Sequence, residues 1–140
     1  MDEPNPLIRR AREVALRAYA PYSNFRVGAV VTDSSGAVYV GCNVESASYG
    51  LSMCAERSAI FAAVAGGAPR PLTALAVSCI DTPDGATPCG ACRQVIFEHF
   101  AADAPIHVDG IGQFTPPGLL PYAFELNTRA TIGRTSGVED

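Results

Sequence analysis

The sequence predicts an α/β fold: a three-layer α/β/α domain built around one mixed five-stranded sheet. Three observations lead there. Helical and strand-like patterns alternate along the 140 residues, and alternating strands and helices stack as a sheet covered on both faces. Leu72 to Ile80 is apolar but for Thr73 and Ser78, the pattern of a strand buried on both sides. Asp33-Ser34-Ser35-Gly36 is turn-forming and separates two valine-rich segments, as in a hairpin.

Taken in order, Asn5 can cap a first helix with Pro6 in its first turn. Leu7, Ala11, Val14, Ala15 and Ala18 recur at helical spacing, and Pro21 should end the helix. Phe25 to Asp33 alternates and reads as a strand, with Val38 to Val44 as its return partner. Ser46 to Ser52 is small and polar, hence a loop. Cys54 to Ala65 is alanine-rich and closes on Gly66-Gly67, a helix with its stop signal. Asp81 to Pro88 holds two prolines and a glycine and is a loop. Gly90 to Phe100 reads as a helix beginning at the Cys-x-x-Cys. Ile106 to Val108 and Gln113 to Thr115 are short strands. Pro116, Pro117 and Gly118 interrupt the chain before a short helical stretch around Leu119 to Leu126. Residues 1–126 are expected to form a single domain, and residues 127–140 a polar tail that frays.

Composition narrows the function. Charged residues are 17% of the chain, below the usual share of about a quarter, which points to surface hidden in an oligomer. Net charge is −4 and the ten basic residues are scattered, so no cationic surface for nucleic acid is expected and a small neutral substrate is. Five cysteines is an odd count without the spacing of a disulfide framework, and reduced thiols fit a cytoplasmic protein. Met1-Asp2-Glu3-Pro4 lacks an apolar signal core, and no apolar run approaches the roughly 20 residues of a membrane span.

The chemistry is concentrated in Cys54, Glu56 and Pro88-Cys89-Gly90-Ala91-Cys92. Each cluster sits where a loop feeds a helix N-terminus, whose unpaired N–H groups and partial positive charge favour thiolate. Cys89 and Cys92 are one helical turn apart. Cys54 and Glu56 are two apart, a rotation of about 200° within a helix, so they converge only if Cys54 stands at the helix start. Three thiols can hold zinc and leave its fourth tetrahedral position to water, while a structural site has four protein ligands. His99 falls late on its helix and His107 inside a strand, so neither suits a fourth ligand. Cys42 and Cys79, on strands, read as small buried residues. A redox dithiol at Cys89 and Cys92, and a non-catalytic zinc module, stay open as alternatives.

These residues match the signature of the zinc-dependent nucleoside deaminases, in which a non-ligand glutamate accompanies zinc on three cysteines or on a histidine and two cysteines. Phe25-Arg26-Val27-Gly28-Ala29, Gly41-Cys42-Asn43-Val44-Glu45, Cys54-Ala55-Glu56-Arg57 and Pro88-Cys89-Gly90-Ala91-Cys92-Arg93-Gln94-Val95 together resemble the small homotetrameric cytidine deaminases, from about Leu7 to Phe124. Ser46 departs from the asparagine that members often carry there. The resemblance implies a cytidine deaminase-like fold and one Zn2+ per subunit on Cys54, Cys89 and Cys92. It implies the pyrimidine-salvage hydrolysis of cytidine and deoxycytidine, with Glu56 moving protons. A deaminase of a modified cytosine nucleoside, of the blasticidin type, is the nearest rival. Asn43 and Glu45 would take the ribose, Phe25 and the Ala55 N–H the base. Ala47, Tyr49 and Phe124 would reach across subunits, completing shared active sites. Three thiolates over-neutralise a dication, and Arg57 would offset the excess with the two helix N-termini.

Overall fold

The computed structural model describes residues 5–126; the expected polar tail at 127–140 lies outside the described residues. The first helix, α1, spans Pro6–Ala15, with the Asn5 side chain accepting from the Leu7 N–H at 2.7 Å and proline in the first turn. It ends well before Pro21, a correction to the expectation above. Tyr19 is taken up in a bridge to Val44: its N–H donates to the Asn43 carbonyl at 3.0 Å and its carbonyl accepts from the Glu45 N–H at 2.9 Å. Those pairings remove Tyr19 from the helical ladder.

β1 (Val27–Thr32) and β2 (Val38–Cys42) form the expected hairpin. Its turn is organised by Asp33, whose carboxylate accepts from the Ser35 N–H and hydroxyl, the Ala37 N–H and the Tyr39 hydroxyl. Gly36 adopts φ +89, where a side chain would be strained. α2 (Ala55–Ala65), β3 (Ala74–Cys79), α3 (Gly90–His99), β4 (Ile106–Val108) and β5 (Gly112–Phe114) follow. The last helix, α4, is Pro116–Leu119 and not the stretch from Leu119 onward. The two prolines begin it: Thr115 caps the Gly118 N–H, and the missing proline N–H groups are ones a first turn leaves unpaired anyway.

The five strands of the described residues lie in the order β2-β1-β3-β4-β5. β3 and β4 are parallel and the other neighbours antiparallel, so the sheet is mixed, as the alternation of elements predicts. Strand periodicity sorts the core into two faces. Ala29, Val31, Leu75 and Val77 pack with Ala59 and Ile60 of α2 and Ile96 of α3. Val30 and Ala76 point the other way, onto Ile8 and Ala11 of α1. One helix therefore covers one face, and α2 and α3 cover the other.

Register places the site. Val27 pairs with Cys79 and Gly28 with Cys42, so β2 and β3 finish at the same end of the sheet, flanking the start of β1. The helix after each, α2 and α3, starts near that end. The loop between β2 and α2 is pinched shut by a bridge in which Val44 and Met53 exchange hydrogen bonds of 3.0 and 2.9 Å, leaving Cys54 beside the end of β2. Gly41 lets α2 press on β2, for a Cβ there would stand 2.8 Å from the Ala55 carbonyl oxygen. Among the described residues no helix is long and apolar enough to cross a membrane.

Replacing Gly41 by alanine forces α2 off the strand. The expected loss is roughly 1–3 kcal/mol, the range for overpacking a tight contact, measured by urea unfolding.

Candidate active site

Cys54 is the N-cap of α2 and Cys89 the N-cap of α3, both in extended conformation and neither spending its side chain on a capping bond. Cys92 follows in the first turn of α3 and is fully buried. The three sulfurs lie within 4.8 Å of one another, with Cys54 and Cys89 3.8 Å apart. Two sulfurs each about 2.3 Å from one tetrahedral ion are separated by about that distance. Soft donors from two chain segments, not spent on capping bonds or disulfides, fit zinc. All five cysteines are free thiols. Neither His99 nor His107 joins the cluster: His99 Nδ1 pairs with Arg70 Nη1 at 2.8 Å, and His107 sits in β4.

The electrostatics of the cluster are polarised. The Cys92 thiol donates to Cys54 and, with Arg57 adding to it against burial, holds Cys54 down at about 5. The same bond, with burial and the Glu56 carboxylate, pushes Cys92 up. Arg57 Nη2 lies 3.4 Å from Cys54 Sγ, while its Nε is buried without a partner among the described residues. Glu56, in the first turn of α2, is 5% exposed. Burial raises its carboxyl to about 7, its own backbone N–H opposing and the Cys54 charge adding. A dication on the sulfurs would draw that carboxyl back down. Cys54 stands at the start of α2 as its N-cap, the position that an end-on approach of Cys54 and Glu56 requires.

Asn43 and Glu45 face a second feature, the segment entering β1. Asn43 Oδ1 accepts from the Val27 N–H and its Nδ2 donates to the Phe25 carbonyl, each at 2.8 Å. Glu45 accepts from the Tyr22 and Ser23 N–H groups at 2.9 and 3.1 Å and from the Ser23 hydroxyl. Both side chains therefore brace the backbone that presents Phe25, whose ring is 51% exposed rather than core. Glu45 and Tyr49 help line a cavity of about 240 Å³ with Tyr22, Ser23, Ser46 and Ser52.

Ala55 is fully buried at the head of α2. Ala47 is exposed in the loop before the short 3-10 turn Tyr49–Leu51. Tyr49 is 76% exposed and meets only the edge of Tyr22 among the described aromatic pairs. Phe124 is tied to α3 by its carbonyl, which accepts from Gln94 Nε2 at 3.0 Å, with its side chain 68% exposed. Ser23, Arg93 and Gln94 carry contacts at these sites that the sequence reading assigned to no one. Ser23 meets the carboxylate of Glu45, 22 residues on, and Arg93 and Gln94 reach the Leu119 and Phe124 carbonyls, 26 and 30 residues on; such distant partners leave no local signal.

Fold and cluster together define a deaminase-type zinc-binding domain. The chain belongs to the cytidine and deoxycytidylate deaminase family, whose zinc-binding region matches residues 1–107. A cytidine deaminase of Sporosarcina psychrophila is 43% identical over 122 residues, covering 84% of this chain and 88% of that protein. One from Mycobacterium tuberculosis is 41% identical over 128 residues, covering 88% and 90%. The crystal structure of a cytidine deaminase from Burkholderia pseudomallei superposes with a TM-score of 0.80 at 43% identity, covering 88% of this chain and 100% of that one.

Asn43→Asp keeps the acceptor for the Val27 N–H but sets a carboxylate oxygen against the Phe25 carbonyl. Stability should fall by about 1–3 kcal/mol in urea unfolding, the cost of an unsatisfied and repelled acceptor.

Proposed function

We propose that this chain catalyses the hydrolytic deamination of cytidine and deoxycytidine to uridine and deoxyuridine with release of ammonia, a step of pyrimidine salvage, in the cytoplasm. The observation that carries the reading is a buried carboxylate, Glu56, in the first turn of the helix that Cys54 caps, with Cys54 one of three converging thiols. Residues 1–126 act as the single catalytic domain. One zinc per subunit is held by Cys54, Cys89 and Cys92, and when bound it makes a coordinated water acidic, to about 7 in typical catalytic sites.

Glu56 takes a proton from the attacking water and passes it to ring N3, while the water oxygen bonds to C4. It then moves the remaining hydroxyl proton to the amino nitrogen, the C4–N bond breaks, and ammonia leaves behind a C4 carbonyl. Its burial supports the role: a carboxyl kept from bulk water exchanges protons with the substrate alone. Arg57 offsets the excess thiolate charge from beside Cys54. Phe25 stacks on the base and the Ala55 N–H serves the pyrimidine carbonyl. Glu45, oriented by Ser23 at both carboxylate oxygens, and Asn43 take the ribose hydroxyls through their remaining hydrogen-bonding capacity.

The homotetramer is supported by the aromatic side chains left open at Tyr49, Phe61 and Phe124, which a neighbouring subunit would cover. Ala47, Tyr49 and Phe124 then complete a neighbour's site. The free thiols and low charge fraction agree with that setting.

Glu56→Gln should retain its zinc and lose about a hundredfold to ten-thousandfold of the turnover, read as ammonia released from cytidine with metal analysis on the same sample. A variant that keeps zinc and turns over like the parent removes Glu56 from the mechanism. A zinc-loaded parent that releases no ammonia from cytidine overturns the function.

A further inference from the structure

Arg93 stands on α3 immediately after the second ligand of the Cys-x-x-Cys, and it points back over the helix start. Its Nε donates to the Pro88 carbonyl at 2.7 Å. Its Nη1 donates to the Leu119 carbonyl at 2.9 Å. Its own N–H closes the first helical bond to the Cys89 carbonyl at 2.9 Å. Pro88 is fully buried and immediately precedes the Cys89 ligand. Leu119 is buried too, and its carbonyl is one of those that α4 leaves without a helical partner. One guanidinium therefore clasps the residue ahead of a metal ligand to the end of the helix that launches the chain toward Phe124. One position on, Gln94 Nε2 reaches the Phe124 carbonyl at 3.0 Å and Glu98 Oε2 at 2.7 Å.

We infer that Arg93 is a positioning residue for the metal site, and that it couples that site to the C-terminal segment 120–126. The inference rests on Cys54, Cys89 and Cys92 holding zinc. The physical reason is geometric. As an N-cap, Cys89 joins the helical ladder through its carbonyl only, so the approach to it is fixed by what holds Pro88. A planar fork can satisfy two carbonyls in fixed directions at once, which a lysine ammonium on a flexible stem does not reproduce. Contacts behind the ligands commonly set metal affinity by about ten- to a hundredfold. With Leu119 as the other partner, movement of the ligand loop is transmitted to the backbone that carries Phe124. Gln94 holds only the far end of that segment.

The test uses full-length, zinc-loaded protein as the parent and as Arg93→Lys, Arg93→Ala, Gln94→Ala and Arg12→Gln. The last breaks the Arg12–Asp109 ion pair between α1 and the residue after β4, and serves as a control for general loss of stability. Zinc release to an excess of a chromogenic chelator is followed in time, with hydrogen exchange of residues 120–126 measured on the same samples. Both Arg93 variants should release zinc about tenfold faster or more, and exchange of 120–126 should rise with it. Gln94→Ala should raise exchange near Phe124 and leave zinc release at the parent rate, as should Arg12→Gln. Folded Arg93 variants that release zinc at the parent rate overturn the proposal, and so does an equal acceleration in Arg12→Gln. Where Arg93→Ala fails to fold, Arg93→Lys decides. A parent protein that contains no zinc overturns the metal reading itself, a result distinct from zinc-loaded variants that behave like the parent.

Discussion

Two helices that begin at the same point are the constraint on which the rest of this structure depends. α2 and α3 each start from a cysteine N-cap, and their N-termini converge until three sulfurs lie within 4.8 Å. Bare thiolates at that spacing would repel. Each helix start carries partial positive charge and Arg57 adds a full one 3.4 Å from Cys54, so the concentration of sulfur is tolerable and a dication is welcome. The sheet supplies the convergence, because β2 and β3 end on either side of the start of β1 and each hands over to the helix that follows.

The rest of that end of the sheet is fastened by polar side chains acting on backbone. Asn43 and Glu45 hold the segment before β1, Arg26 forms a two-pronged pair with Asp81 after β3, and Arg93 holds the approach to Cys89. The apolar core fixes the layers, but it lies below this rim. Where no layer covers the chain, position is set by directed hydrogen bonds, each removable by a single substitution. That is why the residues around the cluster are long, polar and individually consequential, while the core beneath is mostly alanine, valine and isoleucine.

Much of this was legible in the sequence, for reasons that particular residues make plain. Cys54, Cys89 and Cys92 could be grouped because helix starts and the one-turn spacing are local properties. The buried strand at β3 shows itself as a run apolar at all but Thr73 and Ser78. What escaped depended on partners far away. The brace made by Asn43 acts on backbone 16 and 18 residues distant, and a main-chain carbonyl has no sequence identity to read. The early end of α1 goes with the pairing of Tyr19 to Asn43 and Glu45, main-chain partners more than twenty residues on. The position of α4 is hidden for another reason: Pro116 and Pro117 look like interruptions, although proline after a threonine cap is equally a helix beginning.

The central claim is that the chain offers zinc three sulfurs and no fourth protein atom. X-ray absorption at the zinc edge of the purified protein tests it most directly. The account predicts a first shell of three sulfurs at about 2.3 Å and one oxygen at about 2.0 Å. A shell of four sulfurs, or of three sulfurs and an imidazole nitrogen, would contradict it, since a closed site leaves no place for water.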